Sequence, residues 1–167
     1  MKLSRAEVQD RLGKIKLLSL DVDGVMTDGG LYYTDEGVQF RKFNVKDGLG
    51  IKRAMKAGMQ ICIISASKQT STYTRAEHLG IQHVRIGAED KIKELEDIIS
   101  SLGASLDEVA HMGDDLTDVP VMEAVGLALT VSDAVDEALD AADYVTQKGG
   151  GKGAVREICD LIVKAKA

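Results

Sequence analysis

The sequence predicts an α/β fold built on a mainly parallel sheet. Apolar runs of strand length alternate with segments of helical period roughly every 25 residues, a spacing typical of right-handed β-α-β units. Several of the 17 glycines directly follow a helical segment, where glycine favours a helix end. A length of 167 residues indicates a single domain over residues 1–167.

The predicted helices carry apolar residues at helical spacing, and most have a start or stop signal. A capping box of Ser4 and Glu7 opens the first helix. Gly58, Gly80 and Gly103 end the next three. The predicted helices are residues 4–12, 47–57, 70–79, 89–102, 119–125 and 153–164.

The predicted strands are short apolar runs between turn-forming residues. Two such runs, at residues 31–34 and 38–43, flank the turn sequence Asp35-Glu36-Gly37 and predict a hairpin inserted after the first strand. The core strands are predicted at residues 17–20, 60–65, 83–86, 109–112 and 127–131, with 144–146 as a candidate sixth.

The composition argues against several classes of partner. There are 21 Lys and Arg residues against 27 Asp and Glu, and the net charge of −6 disfavours a nucleic-acid or anionic membrane surface. The longest apolar runs are far shorter than the roughly 20 residues of a membrane helix, and no secretory signal follows Met1. Cys62 and Cys159 form no C-x-x-C pair, which is typical of buried thiols in a reducing compartment. We therefore expect a cytoplasmic protein.

Polar residues follow strands of the predicted sheet, at the edge where such sheets bind ligands. Lys91 begins the helix after the third strand. Crowded carboxylates repel unless a cation intervenes, and an all-oxygen site favours Mg²⁺. The residues at the strand ends are Asp21 and Asp23, Ser65, and Asp114, Asp115 and Asp118.

This set suits phosphoryl transfer. A carboxylate such as Asp21 attacks phosphorus to form an aspartyl-phosphate. Asp23 is placed to protonate the leaving oxygen and then to deprotonate water. Ser65 and Lys91 suit hydrogen bonding to phosphate and balancing its charge. Taken singly, the aspartates and the serine are typical of helix caps, and the lysine is typical of a solvated side chain. All of them together at successive strand ends are much less expected by chance.

The same residues carry a family resemblance. The segment DVDGVMTDG at residues 21–29 resembles the nucleophile motif of haloacid-dehalogenase-like phosphatases. Ser65, Lys91 and GDDLTD at residues 113–118 resemble the second, third and fourth motifs, in order. Three further segments resemble the subgroup of 3-deoxy-D-manno-octulosonate 8-phosphate (KDO 8-phosphate) phosphatases: FNVKDG at 43–48, Gly80-Ile81 and GGGKGAVRE at 149–157.

The resemblance implies a Rossmann-like sheet with helices on both faces and no large cap. It also implies a homotetramer in which the hairpin, about residues 30–43, joins neighbouring subunits and the next subunit helps to close the site. A tail at about residues 149–167 would reach a neighbouring active site. The substrate would be a phosphorylated keto-deoxy sugar acid.

The resemblance further implies roles for individual residues. Asp21 would be nucleophile and Mg²⁺ ligand, and Asp23 acid/base with a backbone-carbonyl metal contact. Asp114 would bind the metal, and Asp115 or Asp118 would hold metal-bound water. The implied substrate contacts are Asp23, Asn44, Val45, Lys46, Asp47, Gly48, Lys52, Ser67, Arg75, Lys91, Lys152 and Arg156.

One position departs from the family pattern. Members acting on KDO 8-phosphate commonly have Gly-Arg after the Ser or Thr of the second motif, whereas here Ser67 stands in place of the arginine. Serine lacks the bidentate fork that binds a carboxylate, and Lys68 offers only a point charge. A nonulosonate 9-phosphate, of the KDN or sialic acid type, is therefore the alternative substrate.

Other functions are weaker hypotheses. A signalling receiver domain needs an Asp at the end of the third strand, where Ile86 stands instead. A catalytically silent interaction domain would not need the intact acidic set. The segment GGGKG at residues 149–153 lacks the spacing of a phosphate loop, and a flexible connection to the last helix is its simplest interpretation. His78, His83 and His111 are isolated in sequence and indicate packing or surface roles.

Overall fold

The structure, a computed structural model, describes residues 2–167 and confirms the α/β fold. The strands are β1 (Leu17–Leu20), β2 (Tyr32–Tyr33), β3 (Gln39–Phe40), β4 (Gln60–Ser65), β5 (His83–Ile86), β6 (Val109–Gly113), β7 (Leu127–Thr130) and β8 (Tyr144–Val145). The helices are α1 (Arg5–Leu12), α2 (Val45–Lys56), α3 (Ser71–Leu79), α4 (Lys91–Leu102), α5 (Val119–Ala124), α6 (Asp136–Ala141) and α7 (Ala154–Ala165).

Six strands form one parallel sheet in the order β5-β4-β1-β6-β7-β8. The first strand in the chain, β1, therefore lies in the middle. Its neighbours are β4 on one side and β6 on the other, so the carboxyl ends of these three strands meet at one edge. This edge is the one at which the sequence predicts the site.

Helices cover both faces of the sheet. Leu18 and Leu20 point into the larger core, which α1, α2, α3 and α7 complete. Leu17 points to the opposite face, where Leu95 and Ile98 of α4 and Val121 of α5 pack. The strands are buried on both sides, which explains their continuous apolar runs. Across residues 2–167, no helix is long and apolar enough to cross a membrane.

The element boundaries differ from the predicted ones mainly at helix starts. The α2 helix begins at Val45 because the Asn44 side chain caps it, accepting a hydrogen bond from the Lys46 backbone N–H at 2.8 Å. Asp90 caps α4 in the same way through the Lys93 N–H. The sequence pattern does not predict α6, which has only six residues and lacks a side-chain cap.

The hairpin is shorter than predicted, with two residues in each strand. Tyr32 pairs with Phe40, and their rings stack with centroids 5.4 Å apart. Phe43 leaves the hairpin to bridge Thr27 instead. Because no second sheet packs on the hairpin, four apolar side chains are half or more exposed: Leu31, Tyr33, Val38 and Phe40.

Candidate active site

The predicted strand-end residues do meet. A cavity of about 230 Å³ lies at the carboxyl ends of β1, β4 and β6. Its lining consists of Asp21, Asp23, Ser65, Ala66, Ser67, Lys91, Asp114, Asp115, Thr117 and Asp118. The structure therefore brings these residues together around one cavity, and their functional roles stay predictions.

Asp21 is a buried carboxylate paired with a buried ammonium. It follows β1 directly, and its backbone N–H donates to the Met112 carbonyl at 3.0 Å, which fixes its position against β6. Lys91 donates from Nζ to Asp21 Oδ1 at 2.7 Å. Burial, with the nearby charge of Asp118, raises the pKa of Asp21 to about 7 even though Lys91 opposes the shift. Asp21 therefore depends on nearby cations to be ionised at neutral pH.

Asp118 holds the other side of Lys91. Its Oδ1 accepts from Lys91 Nζ at 2.6 Å and from His111 Nε2 at 3.1 Å. Its Oδ2 accepts from the backbone N–H groups of Asp114 and Asp115, at 3.1 and 3.4 Å. Although burial favours its neutral form, His111 and Lys91 hold the pKa of Asp118 well below its usual range.

Those four hydrogen bonds bear on which of two residues, Asp115 or Asp118, would hold metal-bound water. Both oxygens of Asp118 are fully engaged and the residue is completely buried. Asp115 is exposed and also lines the cavity, with Oδ1 accepting from the Leu116 N–H at 2.7 Å. The geometry therefore favours Asp115 for this role and leaves Asp118 as the residue that positions Lys91.

Gly24 makes room for Asp114. Its φ of +92° lies in the left-handed region, and a Cβ atom there would meet Asp114 Oδ2 at 1.9 Å. The tight approach brings Asp114 against the loop that follows Asp21. Burial, together with the charges of Asp21, Asp118 and Asp115, raises the pKa of Asp114 to about 8.

The residues fit a hard divalent cation. Carboxylate oxygens of Asp21, Asp114 and Asp118 all lie within 4.8 Å of one another. Asp114 Oδ1 is buried and has no hydrogen-bond partner among residues 2–167, which is unusual for a carboxylate oxygen unless an ion completes it. Because Asp118 is engaged with donors, Asp21 and Asp114 are the side chains that would hold Mg²⁺ directly.

Removing the metal is expected to abolish activity. Excess chelator should bring phosphate release to background, and Mg²⁺ should restore it, because Asp21 and Asp114 repel each other without a cation. Ca²⁺ should inhibit, since its longer and looser oxygen contacts would misplace Asp21. Phosphate-release assays over a metal series check this. Full activity in excess chelator contradicts the assignment.

The metal-free protein should lose stability as the pH rises. The folded state keeps a proton on Asp114 up to about pH 8, whereas the unfolded chain releases it near pH 4. The free energy of unfolding should therefore fall between about pH 4 and pH 8. Thermal melting of chelated protein over this range measures the effect. In Asp114→Asn the melting temperature should depend less on pH. If it depends on pH as strongly as in wild type, Asp114 is not the group that holds the proton.

Asp23 has a partner that the sequence does not predict. Arg41 follows β3 and donates from Nε and Nη2 to the two Asp23 oxygens, at 2.7 and 2.6 Å. Its Nη1 donates to Thr72 Oγ1 at 3.0 Å. The Arg41 side chain is 3% exposed, against 40% for Asp23. Arg41 thus fixes Asp23 from the hairpin side, through a fork that matches the carboxylate.

Ser65 and Ser67 face the cavity with part of their hydrogen-bonding capacity in use. Ser65 Oγ accepts from the Ser67 N–H at 3.2 Å, and Ser67 Oγ accepts from the Gln69 N–H at 3.3 Å. Each hydroxyl proton is left for a ligand oxygen. Ser67, where the family resemblance implies an arginine, therefore offers only a neutral donor.

Three of the predicted contacts, Asn44, Asp47 and Gly48, lie at helix contacts and do not line the cavity. Asn44 caps α2 and donates to the Gly151 carbonyl at 2.8 Å. Asp47 is buried, and its Oδ1 accepts from the Arg156 N–H at 2.8 Å, which caps the start of α7. Burial raises the pKa of Asp47. Gly48 lies so close to Arg75 that a Cβ atom would meet Nη2 at 2.3 Å.

Other predicted substrate contacts lie on a separate groove. Val45 and Lys46 are exposed at the start of α2. Lys52 and Arg75 line a groove of about 350 Å³ between α2 and α3, with Val45 at one end. None of the groove's lining residues lines the acidic cavity. Lys52 and Arg75 therefore do not line the acidic cavity of their own chain, and their contact with substrate stays a prediction.

The glycine-rich segment is not a flexible connection, and a reach of the tail to a neighbouring active site stays a prediction. Gly149, Gly150 and Gly151 are buried, and α7 packs against α1 and α2 in the larger core. Lys152 pairs with Asp133 at 3.2 Å. Arg156 pairs with Asp160 at 2.9 Å. Neither Lys152 nor Arg156 lines the acidic cavity of its own chain.

The glycines instead permit a close approach to the catalytic loop. A Cβ atom on Gly150 would lie 1.7 Å from the Gly24 carbonyl oxygen, and the Gly151 N–H donates to the Val25 carbonyl at 3.0 Å. Asp133 accepts from the Gly150 N–H at 2.8 Å and closes the segment from its other side. The segment thus supports the loop that carries Asp23 and Gly24.

Gly150→Ala is expected to destabilise the protein by about 1–3 kcal/mol, because the added methyl group meets backbone that cannot move aside. It should also lower kcat, since the displaced loop carries Asp23. Chemical denaturation and steady-state kinetics measure the two effects. Lys152→Ala is the control for stability and should unfold like wild type, because its ion pair with Asp133 is exposed. A Gly150→Ala protein as stable as wild type contradicts the close packing.

Comparisons with known proteins agree with this geometry. A family model described as haloacid dehalogenase-like hydrolase matches residues 85–158. The 3-deoxy-D-manno-octulosonate 8-phosphate phosphatase KdsC of Escherichia coli (strain K12) is 42% identical over 161 residues, covering 96% of this chain and 86% of that protein. KdsC of Yersinia pestis is 42% identical over 160 residues, with the same coverage.

Solved structures extend the likeness to three dimensions. The KDO 8-phosphate phosphatase from Moraxella catarrhalis, in complex with magnesium ion, phosphate ion and KDO, has a TM-score of 0.92 and 37% identity, covering 95% of this chain and 91% of that one. The Yersinia pestis enzyme has a TM-score of 0.92 and 42% identity, covering 96% and 86%. The chain belongs to the haloacid dehalogenase-like hydrolases and, among them, to the family of KDO 8-phosphate phosphatases.

Proposed function

We propose that this chain is a Mg²⁺-dependent phosphatase that hydrolyses KDO 8-phosphate to KDO and phosphate through an aspartyl-phosphate. The observation that carries the proposal is the buried Asp21–Lys91 pair beside Asp114, at the edge where β1, β4 and β6 end. Membership of a family of phosphoric monoester hydrolases supports the same chemistry.

In the first step Asp21 attacks phosphorus. Lys91 holds Asp21 Oδ1, which leaves Oδ2 as the attacking oxygen, and the third Lys91 N–H is available for a phosphate oxygen. The ester bond breaks, and its electron pair goes to the sugar oxygen, which takes a proton from Asp23. When bound, Mg²⁺ would neutralise the charge of Asp21, Asp114 and the phosphate.

In the second step Asp23 takes a proton from water as the water oxygen attacks phosphorus. The bond to Asp21 breaks, and its electron pair returns to the carboxylate. In this step Asp23 begins as a carboxylate, and Arg41 orients it through the paired hydrogen bonds. The Ser65 hydroxyl donates a hydrogen bond to an oxygen of the phosphoryl group as it is transferred.

The test is phosphate release over a panel of sugar-acid phosphates with Mg²⁺ present. We expect KDO 8-phosphate to give the highest kcat/KM, with simple hexose phosphates far below it. A generic aryl phosphate serves as the control for the reaction type, because neither a receiver domain nor a silent domain turns it over. The proposal is overturned if the protein hydrolyses none of these phosphate monoesters.

A second candidate substrate is a nonulosonate 9-phosphate, and Ser67 is the observation that favours it. Ser67 lines the cavity with a neutral hydroxyl where a guanidinium would bind the sugar carboxylate. Ser67→Arg should lower KM for KDO 8-phosphate if that acid binds there. A wild-type preference for the 9-phosphate, reversed by Ser67→Arg, would establish the second candidate instead.

We also propose that copies of the chain associate through the hairpin into a tetramer. Leu31, Tyr33, Val38 and Phe40 are 50–69% exposed, and such apolar patches mark interaction surfaces. Light scattering after size exclusion should give four chains per particle, and a Tyr33→Ser/Phe40→Ser variant should give smaller particles. A monomeric wild type at micromolar concentration overturns this.

A cytoplasmic location is the remaining proposal. Cys62 and Cys159 are buried free thiols, as is usual in reducing compartments. Fractionation of the native cells tests it.

A further inference from the structure

Two polar residues lie beneath the active-site cavity, within an apolar layer. Ser19 is on β1 and His111 is on β6, they are partners in the strand register, and both are completely buried. Their neighbours on this face of the sheet are apolar side chains such as Ile64, Leu95 and Val121. Burying polar groups here is unfavourable unless each has a partner.

Each polar group finds its partner in a chain that runs toward the site. His111 Nδ1 lies 3.0 Å from Ser19 Oγ, and Nε2 lies 3.1 Å from Asp118 Oδ1. Because a carboxylate only accepts, Nε2 must carry a hydrogen and donate it. Ser19 therefore fixes the ring from one side, and the ring presents its N–H to Asp118 on the other.

The chain continues to the reacting groups through one oxygen atom. Asp118 Oδ1 accepts from His111 and also from Lys91 Nζ, which in turn donates to Asp21 Oδ1. Lys91 has a flexible four-carbon stem and no preferred hydrogen-bond geometry. The position of its ammonium therefore depends on where Asp118 Oδ1 is held.

We infer that His111, oriented by Ser19, is a positioning residue for phosphoryl transfer: it fixes Asp118 Oδ1 and thereby places the Lys91 ammonium beside Asp21. The inference rests on the proposed phosphatase reaction. It gives a buried histidine, which sequence spacing alone assigns to packing, a role in the chemistry without contact to substrate or metal.

A matched pair of amide substitutions tests the inference. In His111→Gln the side-chain N–H reaches the place of Nε2, whereas in His111→Asn it reaches only the place of Nδ1. We expect His111→Asn to lower kcat about 10-fold with a smaller change in KM. His111→Gln should restore kcat to within about threefold of wild type. A role in packing alone predicts that the larger cavity left by asparagine lowers only the melting temperature, with equal kcat in the two folded variants.

A second measurement does not depend on the sugar. Titration calorimetry with inorganic phosphate in excess Mg²⁺ should show weaker binding to His111→Asn than to His111→Gln, because Lys91 contacts phosphate itself. If wild type hydrolyses no monoester, the proposed function fails, and phosphate affinity still decides the role of His111. Equal kcat and equal phosphate affinity in the two variants overturn the inference.

Ser19→Ala covers the case in which both His111 variants unfold. It removes the orienting hydroxyl and leaves the ring in place. We expect kcat to fall about threefold. The melting temperature should fall by only a few degrees, because His111 Nδ1 loses its partner but the ring stays packed. An unchanged kcat in the folded Ser19→Ala protein overturns the inference.

Discussion

Asp21→Asn is expected to lower kcat by at least ~10³-fold, because the variant loses the attacking carboxylate and a metal ligand together. Asparagine keeps the size of the side chain, and its carbonyl oxygen still accepts from Lys91. The packing at the end of β1 should therefore survive, and the loss should be chemical. Steady-state phosphate release from the proposed substrate measures it.

Two controls make the Asp21→Asn result specific. The variant should melt cooperatively and keep the size of the wild-type particle. Mass spectrometry of acid-quenched wild type should find a phosphoryl group on the peptide containing Asp21, and the variant should lack it. A variant that keeps more than a tenth of wild-type activity, with contaminating phosphatase excluded, rules Asp21 out as the nucleophile.

Lys91→Met is expected to have the second largest effect, on both stability and rate. The ammonium lies between two buried carboxylates, at 2.7 Å from Asp21 and 2.6 Å from Asp118. Burial alone would lower the pKa of Lys91, but the two carboxylates raise it above its ordinary value. Removing one partner from such a group destabilises a protein by about 3–5 kcal/mol. We expect kcat to fall about 10²–10³-fold as the phosphate loses its donor.

A double variant separates the two effects of Lys91. In Lys91→Met/Asp118→Asn one of the unpaired buried charges is also removed. Denaturation should show recovered stability relative to Lys91→Met, while kcat should remain low. Recovery of kcat along with stability would mean that Lys91 only supports the fold.

The location of the site could be predicted because it follows from topology. Apolar runs identify β1, β4 and β6, and parallel strands place their carboxyl ends at one edge. Asp21 and Asp114 lie immediately after β1 and β6, and Ser65 is the last residue of β4, so local sequence is enough to bring them together. Lys91 is found for the same reason, as the first residue of α4.

Other site contacts depend on folding geometry that no local pattern encodes. Arg41 reaches Asp23 only because of the direction in which a short hairpin folds back. The position of His111 in its strand predicts a buried side chain. Nothing nearby in sequence indicates that the ring contacts Asp118. Asp47 belongs to a family motif, yet its carboxylate caps a helix that begins more than 100 residues later.

The glycine-rich segment at residues 149–153 is a different case, because its composition predicts a flexible connection and the structure shows a packed one. Three consecutive glycines are typical of a flexible connection. Here they are buried, because a Cβ atom on Gly150 or Gly151 would collide with the backbone at Thr27, and one on Gly149 would collide with Asp133. Distinguishing a glycine that moves from a glycine that packs requires knowledge of what lies against it.

The contact between Gly150 and Gly24 has a consequence for how the protein acquires its activity. Asp21 and its loop are synthesised early, but the segment that supports them is more than 120 residues further along the chain. Contacts of such long sequence separation close late, after the entropy of the intervening chain has been overcome. We therefore expect phosphatase activity to return after the helical circular dichroism signal when the protein refolds from denaturant, so that activity reports the last long-range contact to form.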